Sequence, residues 1–224
     1  MQTPWVTFDC FGTLVDWNSG FTRILAPIAG SRTADLLQAY HVYERRLETE
    51  RPHRTYKEVL TNSLSLAANE VGIALSEPQT SVLVQAWSSL PVFPDVEPAL
   101  SILRASGYKT AVLTNCDDDL FGQTHRGFQV PFDYVVTAER VYDYKPSLSH
   151  FRFFSRIIGV DHTRWVHVAC SWFHDIRPAY DFGIRRIWLD RERTGEDASF
   201  ASRRISTAED LVESVRQVMT GGTV

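Results

Sequence analysis

Asp9 stands at the end of a short apolar and β-branched run, Val6-Thr7-Phe8, and Gly12-Thr13 breaks the pattern just beyond it. A buried parallel strand that stops at a working turn reads this way. A carboxylate fixed there can serve as nucleophile, metal ligand or base, although the segment alone reads equally well as a turn or N-cap residue. Three later segments weigh on the choice. Thr114-Asn115 closes the run Lys109–Leu113, Lys145 stands in DYKP, and Ser171 and Asp175 follow Trp165–Ala169 in ACSWFHD. An ammonium beside a carboxylate keeps it ionised and nucleophilic. Hydroxyl and amide donors hold a substrate or a departing anion. A second carboxylate can position or activate the water that cleaves a covalent intermediate.

Bringing these groups together requires parallel strands whose carboxyl ends meet. Strand-like runs at Val6–Phe8, Lys109–Leu113, Phe132–Thr137, Trp165–Ala169 and Ile184–Leu189 alternate with helical segments at Val96–Ser106, Ser147–Ile158 and Ala208–Met219. That order predicts an α/β fold with a doubly wound parallel sheet, and ligands of such sheets gather outside the strands' carboxyl ends. Between the first strand and the rest lie four helical segments with no strand: Phe21–Ala29, Thr33–Glu50, Tyr56–Val71 and Pro78–Ser88. In the second, Leu36, Leu37, Tyr40, Tyr43 and Leu47 share one face at helical spacing. Pro91, Pro94 and Pro98 punctuate the return. The expected organisation is a core domain from 1–15 and 92–224, an inserted helical cap domain at 16–91, and a frayed GGTV tail.

The bulk properties narrow the class. A net charge of −4 gives no reason to expect a nucleic-acid or anionic-membrane partner. No apolar run nears a membrane span and no leader is visible. Cys10, Cys116 and Cys170 are an odd number without CxxC spacing, which fits a reducing cytoplasm and small packing residues better than a disulfide or zinc framework.

With FDCFGTL, LTN, YKP and the Ser171–Asp175 segment in order, and a helical block after the first, the chain resembles the haloacid dehalogenase-like (HAD) hydrolase superfamily over nearly its whole length. The resemblance implies a Rossmann-like core under a cap that excludes bulk water. HAD phosphatases have a second aspartate two residues after the nucleophile, which protonates the leaving alkoxide; here that place holds Phe11. Metal-dependent members carry two late acids, whereas this chain has Ser171 and then Asp175, so no metal or other cofactor is expected. These features, with RTG at 193–195 and SLPVFPDV, are similar to the type II L-2-haloacid dehalogenase subfamily. In that likeness Asp9 attacks the halogen-bearing carbon, inverting it and forming an ester. Lys145 keeps Asp9 ionised, Asp175 helps water hydrolyse the ester, and Thr13, Thr114, Asn115 and Ser171 orient the carboxylates. The substrate is a small 2-substituted carboxylic acid, and homodimers are usual among the relatives.

Three positions depart from the subfamily. Tyr43, flanked by Arg45 and Arg46, stands where it has a halide-binding arginine; Trp172 replaces an asparagine, and Phe151 a tyrosine. These suggest a more aromatic pocket, with Cys10, Phe11, Tyr43, Trp172 and His174 as candidate substrate contacts. Trp172 reads as wall or core, and His174 either as a turn spacer or as an aid to water or halide. The rivals are hydrolysis of a strained cyclic amino acid such as azetidine-2-carboxylate, a HAD phosphatase with another proton source, and a non-catalytic binding protein.

Overall fold

The computed structural model describes residues 3–221; of the expected tail, residues 222–224 lie outside them. The chain divides into two compact units: Met1–Val15 with Val92–Asn115 and Phe128–Val224, and Asp16–Pro91 with Cys116–Gly127.

The first unit is built on a parallel sheet of six strands among the described residues, in the order β3-β2-β1-β4-β5-β6. These are β1 Trp5–Phe8, β2 Lys109–Thr114, β3 Tyr134–Thr137, β4 Trp165–Ala169, β5 Arg185–Leu189 and β6 Arg203–Ile205. β1, β4 and β5 are buried at every residue. Helices on both faces of a parallel sheet leave no wet side, so these strands are continuous runs rather than alternating ones. Trp5 and Val6 pair with Lys109 and Thr110 on one side, and with Trp165 and Val166 on the other. β1 is therefore central, and the chain's winding reverses between β1 and β4, which is where the carboxyl ends open a crevice. β6 was not expected from the sequence. Its two arginines are exposed and only Ile205 is buried, which suits a charged edge strand but carries no apolar signature.

The second unit is helical: α1 Trp17–Ala29, α2 Thr33–Thr49 and α3 Tyr56–Glu70, then short turns at Glu77–Thr80, Val82–Gln85 and Trp87–Ser89. Asp16 caps α1 by accepting from Ser19 N at 3.1 Å. Thr55 and Glu58 form a reciprocal capping box at α3. The single helix expected over Pro78–Ser88 is instead three turns. Ser76 and Gln79 close a capping box around the first of them, and Ser81 falls outside helical geometry before the second. The segment 116–127 belongs to this unit for a physical reason. The Asp117 carboxylate accepts from Tyr56 N at 2.8 Å and Lys57 N at 3.0 Å, capping α3 from a distant part of the chain. The Trp87 indole N–H donates to Leu120 O at 3.1 Å and Thr124 Oγ1 at 3.0 Å in the helix Asp118–His125.

Within the first unit, the segments beside the crossings at 15/16 and 91/92 are tied to each other. Phe93 N donates to Leu14 O at 2.9 Å. Arg191 donates to Thr13 O at 3.3 and 3.2 Å and to both Asp95 oxygens at 2.9 Å, with its guanidinium 3.9 Å above the Phe93 ring. Asp95 also accepts from Thr207 Oγ1 at 3.0 Å and Ala208 N at 2.8 Å. Burial would raise the Asp95 carboxyl, but these donors outweigh it and hold it below the usual carboxylate range. A depressed acid contributes stability above its unfolded pKa and loses it as pH falls through the folded one. Asp95→Ala should therefore cost about 1–3 kcal/mol at neutral pH and flatten part of the acid limb of stability against pH. Chemical denaturation across that range checks both, and an unaltered acid limb would refute the assignment.

Candidate functional site

Asp9 extends the β1 ladder by one bond, its N–H donating to Val168 O at 3.0 Å. The chain then folds back on itself. Leu14 N and Val15 N both donate to Cys10 O, at 2.8 and 3.0 Å, and Gly12 N donates to Val15 O at 2.7 Å. Gly12 has φ 87°, a left-handed conformation that a side chain would strain. The fold-back sets Thr13 against the carboxylate: its Oγ1 donates to Asp9 Oδ2 at 2.7 Å and accepts from Cys170 N at 2.9 Å. The exit of β4 thus steadies Asp9 through Thr13.

Lys145 reaches the same place from the loop after β3. Its Nζ donates to Asp9 Oδ1 at 2.9 Å, Asp175 Oδ1 at 2.6 Å and Leu113 O at 2.9 Å, which uses all three ammonium protons. Burial alone would favour the neutral amine, but Asp175 and Asp9 reverse this and hold Lys145 well above its ordinary value. Asn115 secures the lysine by its backbone, accepting from Lys145 N at 2.7 Å and donating to Lys145 O at 3.0 Å. It positions the carboxylates at one remove, through the lysine they share.

Asp175 is placed by a π-helical turn, Trp172–Ile176, that follows β4. Ser171 begins the turn: its Oγ accepts from His174 N at 3.1 Å and lies 3.0 Å from His174 Nδ1, and its carbonyl accepts from Asp175 N at 3.2 Å and Ile176 N at 3.1 Å. Burial would raise the Asp175 carboxyl, yet Lys145 and then His167, 3.0 Å away through Nε2, hold it well below the usual range. Asp175 Oδ2 is buried with no hydrogen-bond partner among the described residues.

The remaining candidates divide. Thr114 is buried at the end of β2, and its carbonyl lies 3.1 Å from Nε2 of buried His150. Burial, helped by the Lys145 charge, pushes that imidazole down to about 3. Cys10 is buried behind the turn and Phe11 is half-buried within it. Trp172 turns to the 197–200 segment, its indole N–H donating to Asp197 O at 3.0 Å and its ring 5.4 Å from Phe200. Tyr43 belongs to the helical unit, where its hydroxyl donates to Glu70 at 2.7 Å under the Arg46 guanidinium. Arg45 is exposed, and Arg46 pairs with Glu50 at 3.2 Å. Cys170 is a protonated thiol: burial and then the Asp9 charge push it well up from its ordinary value. His150 and His167, both fully buried at the site, were not singled out by sequence reasoning.

The donor set does not suit a divalent cation. A full positive charge on Lys145 already sits between Asp9 Oδ1 and Asp175 Oδ1, and Ser171 faces His174 rather than adding a further carboxylate.

A doubly wound parallel sheet with two aspartates joined by one lysine at its switch point is the core of an α/β enzyme. This chain belongs to the haloacid dehalogenase-like hydrolases, whose family model matches residues 4–169. It is 24% identical over 204 residues to (S)-2-haloacid dehalogenase 1 of Pseudomonas sp. (strain CBS-3), covering 88% of either chain. Among solved structures it superposes on the L-2-haloacid dehalogenase RSc1362 with TM-score 0.87 at 19% identity, covering 96% of this chain and all of that one. The Xanthobacter autotrophicus L-2-haloacid dehalogenase with covalently bound chloropropionic acid matches with TM-score 0.79 at 20% identity, over 96% and 99%.

Lys145→Met should lower the unfolding free energy by about 3–5 kcal/mol at pH 7, since it leaves two buried carboxylates without their cation. The deficit should shrink as pH falls and those carboxylates take up protons. Denaturant titrations at neutral and acid pH measure it, and equal stability of variant and parent at pH 7 would contradict the triad's assigned role.

Proposed function

We propose that the protein is a metal-independent hydrolase that removes halide from a small (S)-2-haloacid through an ester on Asp9. The arrangement of Asp9, Lys145 and Asp175, with a phenylalanine two residues after Asp9, carries this reading. Asp9 is ionised beside the ammonium, and its oxygens are oriented by Lys145 and Thr13. It displaces halide from the back of C2, forming a C–O bond as the carbon–halogen bond breaks and inverting the centre. Halide leaves as a stable anion and needs no proton, so Phe11 is no handicap; an alkoxide leaving from phosphorus would need the acid this position lacks. Water then attacks the Asp9 carbonyl carbon with Asp175 as base. The product is the 2-hydroxy acid, with halide and one proton released.

The likeness to the (S)-2-haloacid dehalogenase of Pseudomonas and the covalent chloropropionic acid in the Xanthobacter structure support the substrate class and the ester. In this reading residues 16–91 form the cap domain of a cytoplasmic enzyme working as a homodimer. Among the described residues no helix is long and apolar enough to cross a membrane.

The enzyme should convert (S)-2-chloropropionate to (R)-lactate in chelator-treated buffer, and Asp9→Asn should lose at least about 10³-fold in kcat/KM. A single turnover in heavy-oxygen water should leave the label in the peptide containing Asp9. Label found only in the lactate, or lactate of retained configuration, would rule out the ester route.

A further inference from the structure

β4 carries a histidine that none of these steps uses. His167 is fully buried and pairs in the sheet with Thr7 of β1 and Arg186 of β5. Both edges of its ring are engaged: Nδ1 lies 2.9 Å from Thr7 Oγ1, and Nε2 lies 3.0 Å from Asp175 Oδ1. Behind them, the Trp165 indole N–H donates to Thr7 Oγ1 at 2.8 Å. Phe151 packs edge-on against the imidazole, with centroids 5.0 Å apart. For packing alone, an aliphatic side chain would fill this site without the cost of burying an imidazole.

The direction of each hydrogen follows from the chemistry of the end groups. An indole N–H only donates, and an ionised carboxylate only accepts. Thr7 therefore accepts from Trp165 and gives its own proton to Nδ1, which leaves His167 neutral with its proton on Nε2, donated to Asp175. An imidazolium would direct Nδ1–H at a hydroxyl that already accepts from Trp165 and would leave the hydroxyl proton with no acceptor among the described residues. Asp175 Oδ1 then receives two donors, Lys145 at 2.6 Å and His167 at 3.0 Å, while buried Oδ2 receives none among the described residues. Two donors from different directions fix the rotation of the carboxylate about Cβ–Cγ.

We propose that His167, set as the neutral Nε2–H tautomer by Trp165 and Thr7, is a positioning residue for Asp175 that pins Oδ1 so that Oδ2 is the base for ester hydrolysis. The proposal rests on the ester reading and confines the effect of His167 to its second half. Water gives its oxygen to the Asp9 carbonyl carbon and a proton to Asp175 Oδ2. The bond from that carbon to the substrate oxygen breaks, the departing alkoxide takes the proton from Asp175, and the regenerated Asp9 acid releases its proton to solution. His167 keeps its Nε2 proton throughout.

Two measurements test this. In nitrogen-15 NMR of the histidine-labelled enzyme at neutral pH, the signals lost in His167→Leu should be those of an unprotonated Nδ1 and a protonated Nε2. The opposite tautomer or an imidazolium overturns the proposal whatever the substrate. In rapid-quench turnover of 2-chloropropionate, His167→Leu should form the ester within about threefold of the parent rate and hydrolyse it about 10²-fold more slowly. The Asp9 peptide then accumulates carrying the substrate, and His167→Gln, whose amide N–H replaces the donor, should recover most of the rate. Equal slowing of both halves, as a merely structural role would give, overturns the proposal, and so does unchanged hydrolysis. A parent enzyme that never forms the ester sinks the ester reading and this proposal together, an outcome distinct from a variant that forms the ester and hydrolyses it normally.

Discussion

One ammonium shared by two carboxylates, in a place almost without water, is the constraint on which the rest of the molecule depends. Lys145 and Asp175 have side chains 1% exposed and Asp9 10%. Any of the three charges left alone at that depth would cost several kcal/mol in desolvation, so each requires the others. Their backbones lie on three separate stretches of chain, after β1, β3 and β4. Holding three loops to hydrogen-bonding tolerance needs a stiff frame, and the fully buried strands β1 and β4, running side by side, provide it. Asn115 and the Leu113 carbonyl bring in the end of β2, fixing the lysine by its backbone and its tip.

The same interaction makes two chemically equal aspartates unequal. Each gives Oδ1 to Lys145, and what remains differs. Asp9 Oδ2 accepts from a neutral hydroxyl, which is itself oriented by a backbone N–H of the β4 exit. That holds the group in place without removing its negative charge. Asp175 adds an imidazole donor on Oδ1, and its Oδ2 has no hydrogen-bond partner among the described residues. In the proposed reaction a nucleophile and a base are distinguished by second partners rather than by residue type, which is how one kind of side chain would serve two steps of one reaction.

The carboxylates and the lysine were legible in the sequence because each lies in the segment that follows a strand-like run, and strand ends of a doubly wound sheet converge. The two histidines were not legible. His167 sits in WVHVA, where the surrounding apolar residues announce a buried strand and a central histidine reads as core. Its meaning comes from Thr7, 160 positions away, and from Asp175, which a π-helical turn brings back beneath it. Neither the turn nor the cross-strand contact leaves a periodic trace. β6 escaped for the opposite reason, its two exposed arginines masking a short edge strand. The capping of α3 by Asp117 was likewise invisible, since a long-range cap has no spacing to recognise.

The aromatic departures from the dehalogenase pattern take on a different meaning once their partners are known. Trp172 and Phe151 suggest, as sequence, a pocket stripped of polarity. Phe151 instead has no exposed surface and walls the imidazole of His167, and the polar edge of Trp172 is spent on Asp197 O. The loss of an asparagine and a tyrosine is therefore no measure of how polar the substrate's surroundings are. Polar groups are present around Asp175, but they stand behind the carboxylate and within its turn: His167 on Oδ1, and His174 with Ser171 closing the segment that carries it. Donors in those places act on Asp175 and on the turn that carries it. They leave the nature of the electrophile to the chemistry that Asp9 can perform without an acid beside it, and departure of a halide from carbon meets that condition.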